Sequence, residues 1–351
     1  GHTKAILDSD SSRIVVVAGP GTGKTALFAK LLQKKGSDTL TLSFINALVD
    51  DLSLGLHGLS EVKTLHGFSA GFLAKHTNAK IFPKLSEVIK HDAMILLGEE
   101  IKFDRIFHQG EGDEKHISFY KDRKKYYGNY YGFADAVYGL VKYLETYKEK
   151  IPQYKQIVVD EFQDFNKTEV ALIELLSQKS PLLIAGDDDQ SLYIDLKDAS
   201  PEHIRKKHSS ESPDYKPFPL PFCSRSTRVI VDVVNDVVKS ALVKGLLEHR
   251  VPKEYKYFPS DAKDKESDQN PKLVYTQQYE DEMPTFIQKE LTKIAAKQRE
   301  KFSVLIVVPP QLGKRVVPKL AKALKKKGLR NLTYQEAPPE REPTLLDGLK
   351  I

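Results

Sequence analysis

Ala18-Gly19-Pro20-Gly21-Thr22-Gly23-Lys24-Thr25 lies between an apolar run, Ile14-Val15-Val16-Val17, and a run with helical character, Ala26-Leu27-Phe28-Ala29-Lys30-Leu31-Leu32. Strand, glycine-rich turn, helix is the pattern of a phosphate-binding loop, and it decides the fold. Glycines let backbone N–H groups turn inward, and the positive end of the helix adds its dipole. Gly19, Pro20, Gly21, Thr22, Gly23, Lys24 and Thr25 are therefore expected to cradle a polyphosphate. Lys24 is placed to reach the β- and γ-phosphates and the Thr25 hydroxyl to bind Mg²⁺. The first position of the usual pattern is Ala18 rather than Gly.

Two further strands carry polar groups at their ends. Gln156-Ile157-Val158-Val159 runs into Asp160-Glu161-Phe162-Gln163-Asp164. Adjacent carboxylates after a buried strand are costly unless they meet a cation or a proton. Beside a phosphate loop, Asp160 is the candidate Mg²⁺ ligand and Glu161 the general base for the attacking water. Leu182-Leu183-Ile184-Ala185 leads to Gly186-Asp187-Asp188-Asp189-Gln190-Ser191-Leu192-Tyr193. There Gln190 is a neutral amide suited to sensing a γ-phosphate or the water. Three strands that deliver polar groups at their C-terminal ends follow the ligand rule for parallel α/β sheets.

Taken in order, these blocks resemble the UvrD/Rep-type superfamily 1 DNA helicases. Shorter pieces fall between them. Ser43-Phe44-Ile45-Asn46 resembles Thr-Phe-Thr-Asn, Thr64-Leu65-His66-Gly67-Phe68 resembles Thr-Phe-His-Gly/Ser-Phe, and Cys223-Ser224-Arg225-Ser226 resembles Asn-Tyr-Arg-Ser. The resemblance runs from about residue 13 to about 310. It implies a P-loop NTPase of RecA-like fold that uses ATP and Mg²⁺ and moves on single-stranded DNA. It implies that Phe44, Asn46, Thr64 and His66 line the DNA path, that Arg225 is an arginine finger, and that Gln163 and Gln190 couple nucleotide state to DNA. The chain departs from the family in three places. The adenine-stacking tyrosine is Ser224, and the adenine-reading glutamine falls at His2. The aromatic-arginine pair after Tyr193 is replaced by Ile194-Asp195-Leu196-Lys197-Asp198. This last change keeps open a second reading, a nucleotide-switched DNA-binding or scaffold ATPase that does not unwind.

Composition is compatible with these readings. The chain has 351 residues, with 54 Lys plus Arg against 48 Asp plus Glu and a formal charge of +6, which suits a phosphate-backbone partner. The lone cysteine, Cys223, excludes an internal disulfide and suits a reducing, cytoplasmic setting. No apolar run approaches the ~18 residues of a spanning helix, so no membrane partner is expected. Composition does not bear on oligomeric state.

The expected architecture is α/β, a doubly wound parallel sheet with an inserted helical subdomain and a partial second α/β domain. Residues 1–74 and 152–215 are assigned to the first RecA-like domain, 75–151 to the insertion, and 216–351 to the start of the second domain. Lys121-Asp122-Arg123-Lys124-Lys125-Tyr126-Tyr127 in the insertion is a basic and aromatic cluster that can meet single strands. Phe133, Val137, Leu140, Val141 and Leu144 recur at helical spacing, so the tyrosines from Tyr138 to Tyr147 are expected to be mostly structural. Pro217, Pro219 and Pro221 mark a linker. Thr227 to Val243 reads as a helix, 259–272 as a solvated loop, Ser303 to Val308 as a buried strand, and Lys314 to Lys327 as a basic amphipathic helix with a solvated face. The family's later Thr-x-His-x-x-Lys-Gly and Tyr-Val-Ala-x-Thr-Arg blocks do not occur before Ile351, so the chain is expected to be a fragment.

Overall fold

The computed structural model describes residues 1–328 apart from 45, 192, 210, 270–275, 298–303 and 309. Ile45, Leu192 and Ser303 of the quoted motifs lie outside the described residues. The chain divides into two units, Gly1–Pro271 and Lys272–Ile351.

The first unit begins α1 (His2–Leu7), β1 (Arg13–Ala18), α2 (Lys24–Lys35), β2 (Thr39–Ser43), α3 (Asn46–Gly55), β3 (Glu61–Thr64) and α4 (Leu65–Thr77). A mostly helical stretch follows: β4 (Lys80–Ile81), α5 (Leu85–Leu97), α6 (Phe103–Gln109), α7 (Glu114–Tyr126), β5 (Tyr130–Tyr131) and α8 (Phe133–Thr146). The chain then returns through β6 (Gln156–Val159), α9 (Lys167–Ser177), β7 (Leu182–Gly186), α10 (Ile194–Lys197), α11 (Glu202–His208) and β8 (Lys216–Leu220). It continues as β9 (Phe222–Cys223), α12 (Arg228–Val243), β10 (Lys256–Tyr257) and α13 (Asp261–Gln269).

Six strands form one parallel sheet in the order β3-β2-β6-β7-β1-β8. The central strands are apolar without alternation because both of their faces are covered. Val15, Val17, Leu40, Leu42, Ile157, Val159, Leu182 and Ile184 face one core, with α4, α8 and α9 packed on it. Ile14, Val16, Val158, Leu183 and Ala185 face the other, against Leu27, Phe28, Leu31 and Leu32 of α2 and Leu52 and Leu56 of α3. The expected doubly wound α/β sheet is the observed one.

Helix α8 has two apolar faces. Val137, Leu140, Val141 and Leu144 join the core under the sheet. Tyr138 points the other way, into a separate core with Leu85, Ile89, Phe103, Ile106, Phe107 and Tyr120. The helical stretch is thus seated on the sheet by one side of one helix. Tyr138 is buried, as read, whereas Tyr147 is 47% exposed.

Three expectations are corrected. The prolines at 217 and 219 do not mark a linker, because they lie within β8, the edge strand paired with β1. Successive residues of a strand turn their N–H groups to opposite sides. Two prolines spaced by two therefore face the open edge, where no N–H is needed. Residues 261–269 form a helix rather than a loop. Residues 304–308 form no strand, and Leu305 and Val307 are more than four-fifths exposed. A strand needs hydrogen-bonding neighbours, and the described residues of the second unit provide two helices, α14 (Met283–Lys297) and α15 (Pro310–Lys326). α15 buries Val316, Leu320, Ala321 and Leu324 and leaves Lys319, Lys322 and Lys325 exposed, as its amphipathic pattern reads. No described helix is long and apolar enough to cross a membrane.

Because Leu140 is fully buried on the sheet side of α8, Leu140→Ala is expected to lower stability by about 2–5 kcal/mol through lost contacts and a cavity. Urea unfolding followed by circular dichroism measures this. A loss under about 0.5 kcal/mol would show that α8 is not part of the sheet core.

Candidate functional site

Parallel pairing of β6 with β7 and of β7 with β1 sets three C-terminal strand ends side by side. The loop after β1 turns on Gly21 (φ 71°) and Gly23 (φ 92°), a left-handed geometry that favours glycine. The Thr22 hydroxyl closes it by donating to the Gly19 carbonyl at 2.8 Å. Lys24 and Thr25 open α2.

Lys24 Nζ donates to Glu161 Oε1 at 2.9 Å. Burial works to lower the Lys24 pKa, but the charges of Asp160 and Glu161 outweigh it and hold the group above its ordinary value. Asp160 is buried at the end of β6, and burial pushes it up to about 6 against the pull of Lys24. A carboxylate kept from water with one cation beside it suits a divalent ion arriving with a nucleotide. Asp160 and the Thr25 hydroxyl are the groups that could hold Mg²⁺.

Glu161 adopts a left-handed backbone (φ 51°), unusual for a residue with a side chain and costing about 1–3 kcal/mol. The kink turns its carboxylate out of the strand direction toward Lys24. Its second oxygen accepts from Gln163 Nε2 at 3.0 Å. Gln163 Oε1 in turn accepts from the Asp187 N–H at 3.0 Å, so one amide joins the ends of β6 and β7.

Asp187, Asp188 and Asp189 offer carboxylate oxygens within 4.8 Å of one another, a spacing that a metal could use. Cations of this chain fill it instead. Arg205 Nε donates to Asp188 at 3.0 Å, and Arg250 chelates Asp189 at 2.6–3.2 Å. Lys253 contacts Asp187, Asp188 (2.5 Å) and Asp189 (2.9 Å). Gln190 Nε2 donates to Asp187 Oδ2 at 2.6 Å.

Two downstream segments press on the phosphate loop. Ser224 N–H donates to the Gly21 carbonyl at 2.9 Å. A Cβ on Gly21 would come within 2.6 Å of Arg225 Cβ, so glycine is required there. The Arg225 side chain is exposed and makes no ion pair among the described residues. Tyr255 donates its hydroxyl to the Pro20 carbonyl at 2.8 Å, and its ring lies 3.0 Å from where a Gly19 Cβ would stand.

Lys24, Asp160, Glu161, Gln190 and Arg225 are thus grouped around one loop. Arg205, Arg250, Lys253 and Tyr255 were missed from sequence. Three successive aspartates after a buried strand do announce that cations are needed. Nothing local says which cations, because Lys253 lies 66 residues from Asp187.

The residues expected on a DNA path are placed differently from one another. Phe44 is core rather than an open stacking face. It is 4% exposed, with Tyr193 at 4.8 Å and Phe165 at 5.8 Å, and Lys197 Nζ stands 4.3 Å over its ring. An aromatic ring at the end of β2 gains more from this burial than from water. Asn46 opens α3. Thr64 caps α4, its hydroxyl accepting from the Gly67 N–H at 3.0 Å. His66 Nδ1 lies 3.8 Å from Glu169, and burial, with Lys197 and His108, lowers its pKa to about 4. In the 121–127 cluster most cations are already paired. Arg123 chelates Asp92 and lies under Tyr126, Lys124 stands 3.9 Å over Tyr131, and Lys125 meets Asp122.

Comparison with known proteins agrees with the motif resemblance. Residues 2–195 match the family described as AAA domain. The chain is 32% identical over 112 residues to the ATP-dependent DNA helicase PcrA of Staphylococcus epidermidis, covering 30% of this chain and 15% of that protein. It is 35% identical over 98 residues to PcrA of Staphylococcus aureus, 28% of this chain and 13% of that one. It is 31% identical over 127 residues to an ATP-dependent helicase/nuclease protein of Streptococcus sanguinis, 34% of this chain and 10% of that one. The chain therefore spans between a tenth and a sixth of the length of these relatives.

Glu169 is buried, and burial raises its pKa from 4.5 to about 7. One oxygen accepts from the Asn166 N–H, and the other has no hydrogen bond among the described residues. The folded state therefore holds a proton that the unfolded chain releases between pH 4.5 and 7. Stability from this group is full below pH 4.5, falls with a limiting slope of about 1.4 kcal/mol per pH unit, and levels off above 7. His66, with its lowered pKa, contributes the opposite slope between about 4 and 6.5. Glu169→Gln keeps the helix cap and is expected to flatten the Glu169 part of the slope, measured as urea stability against pH relative to wild type. Parallel curves for the two proteins would refute a protonated Glu169.

Proposed function

The chain belongs to the AAA domain family, and from that premise we propose that it is the ATP-binding part of a DNA helicase or translocase of the UvrD/Rep type. It would couple Mg·ATP hydrolysis to movement on single-stranded DNA. The observation that carries the reading is the Lys24–Glu161 pair between the phosphate loop and the end of β6. A half-buried lysine and a strained glutamate hold each other where a phosphate would take the lysine and release the glutamate.

Lys24 would leave Glu161 for the γ-phosphate, whose charge exceeds that of a carboxylate. Glu161, freed on one oxygen and still held by Gln163 on the other, could then accept a proton from the attacking water. Gln190, anchored on Asp187, would orient that water or read the γ-phosphate. Thr25 and Asp160 would hold Mg²⁺, which supplies charge to the leaving phosphate. Arg225 would place a guanidinium on the opposite side, and its segment's contact with Gly21 supports that. Residues beyond β8 would begin a second RecA-like domain.

The second reading, a nucleotide-driven DNA-binding switch without unwinding, is favoured by Lys197 and Tyr193 covering Phe44 where the family pattern has an aromatic-arginine pair. ATP turnover by the full-length protein with and without a single-stranded oligonucleotide, together with its strand displacement on a tailed duplex, separates the two. DNA stimulation with displacement supports the motor, and stimulation without displacement supports the switch. Absence of any DNA effect on turnover would remove both.

Two sets of variants test the assignments. Lys24→Ala is expected to abolish turnover and weaken Mg·ATP binding, whereas Glu161→Gln should bind Mg·ATP and fail to hydrolyse it. Near-normal turnover by Glu161→Gln would overturn its role as base. Arg225→Ala is expected to slow single-turnover hydrolysis by about 10³-fold or more while nucleotide affinity changes only a few-fold. Equal losses in rate and affinity would reduce Arg225 to a ground-state contact.

A further inference from the structure

We propose that Lys253 is a positioning residue that neutralises Asp187 beside the phosphate loop and thereby sets the site's preference for a nucleoside triphosphate over the diphosphate. The inference rests on the nucleotide reading above and adds a residue outside the 2–195 match.

Asp187 is the carboxylate of the β7 loop that faces the phosphate loop. It is 3% exposed, its Oδ2 lies 3.7 Å from where a Cβ on Gly19 would stand, and the same oxygen holds Gln190. A triphosphate seated with its γ-phosphate at Lys24 and Gln190 brings negative charge toward this carboxylate. A diphosphate ends before reaching it. Uncompensated, Asp187 would repel the longer ligand selectively, because like charges kept from water interact strongly.

Three cations serve the three aspartates, and Lys253 touches all of them. Arg205 is committed to Asp188, and Arg250 chelates Asp189. Among the described residues Lys253 is the cation in ion-pair contact with Asp187. Its side chain is 10% exposed, so water does little to screen it. Its segment is pinned on both sides. The Val251 N–H donates to Asp188 Oδ2 at 2.8 Å, and the Tyr255 hydroxyl reaches the Pro20 carbonyl of the phosphate loop. The backbone that carries Lys253 is therefore held beside Asp187. The pairing also fixes the Asp187 side chain that orients the Gln190 amide.

The test is isothermal titration of the full chain with Mg·ATPγS and with Mg·ADP. Lys253→Met is expected to weaken the triphosphate analogue about tenfold while Mg·ADP changes less than about twofold. Lys253→Arg, which keeps the charge, should recover most of the loss. Asp187→Asn combined with Lys253→Met removes both charges and should also recover triphosphate affinity. Equal weakening of both nucleotides, an unchanged ratio, or failure of both recoveries would overturn the proposal. Thermal melts monitor folding. If Lys253→Met does not fold, Lys253→Arg and the double variant decide, and a lost triphosphate preference in either counts against it. Lys24→Ala serves as the control for the nucleotide reading itself. If wild type binds neither nucleotide, or if Lys24→Ala binds both as wild type does, that reading fails. A normal wild-type preference that is indifferent to Lys253 refutes this inference alone.

Discussion

Carboxylates stand out of water at the C-terminal ends of two neighbouring parallel strands, and each must meet a cation. Asp160 and Glu161 end β6, while Asp187, Asp188 and Asp189 follow β7. Isolated buried charge costs far more than a folded domain can bear, so the cations that answer it are part of the fold. Lys24 comes from the loop after β1, which ties the phosphate loop to β6. Arg250 and Lys253 come from well downstream, which ties the chain after β8 back onto the loop after the central strand β7. Ion pairing thus determines which segments gather around the loop, and the same pairs are the ones an incoming phosphate would rearrange.

Neutral groups link these ion pairs. Gln163 contacts Glu161 with its amide nitrogen and the Asp187 N–H with its amide oxygen, so the two strand ends cannot shift independently. Gln190 is held by Asp187, and three residues later the Tyr193 ring packs on Phe44 at the end of β2. The loop after β7 thus reaches Asp187 through Gln190 and the end of β2 through Tyr193. The left-handed backbone at Glu161 is the strained point in this chain of contacts.

The helical stretch between α4 and β6 shows how an insertion is attached. One face of α8 belongs to the sheet's core and the other to the insertion's own core. Its basic residues, which with the aromatics look by composition like a nucleic-acid surface, spend much of their charge on neighbouring carboxylates and rings. Tyr126 remains 78% exposed, but Arg123 beside it is already bound to Asp92. Charge that is internally paired has less to offer a phosphate backbone.

The parallel α/β sheet and the three loops at its polar edge are legible in the linear chain. Unbroken apolar runs such as Val15-Val16-Val17 and Leu182-Leu183-Ile184 require cover on both faces, and a Gly-Lys-Thr turn between strand and helix has one economical use. Asp187-Asp188-Asp189 likewise announces that cations have to be found. Which cations answer is settled by folding, because ion pairing across 60 or more residues leaves no periodic trace in a chain. For the same reason Tyr255 could not be read as a brace on Pro20. Pro217 and Pro219 read as a linker because local chemistry cannot tell a turn from the outer edge of a sheet, where a missing N–H goes unnoticed. Val304 to Val308 read as a strand on hydrophobicity alone, but a strand exists only where a neighbour supplies its hydrogen bonds.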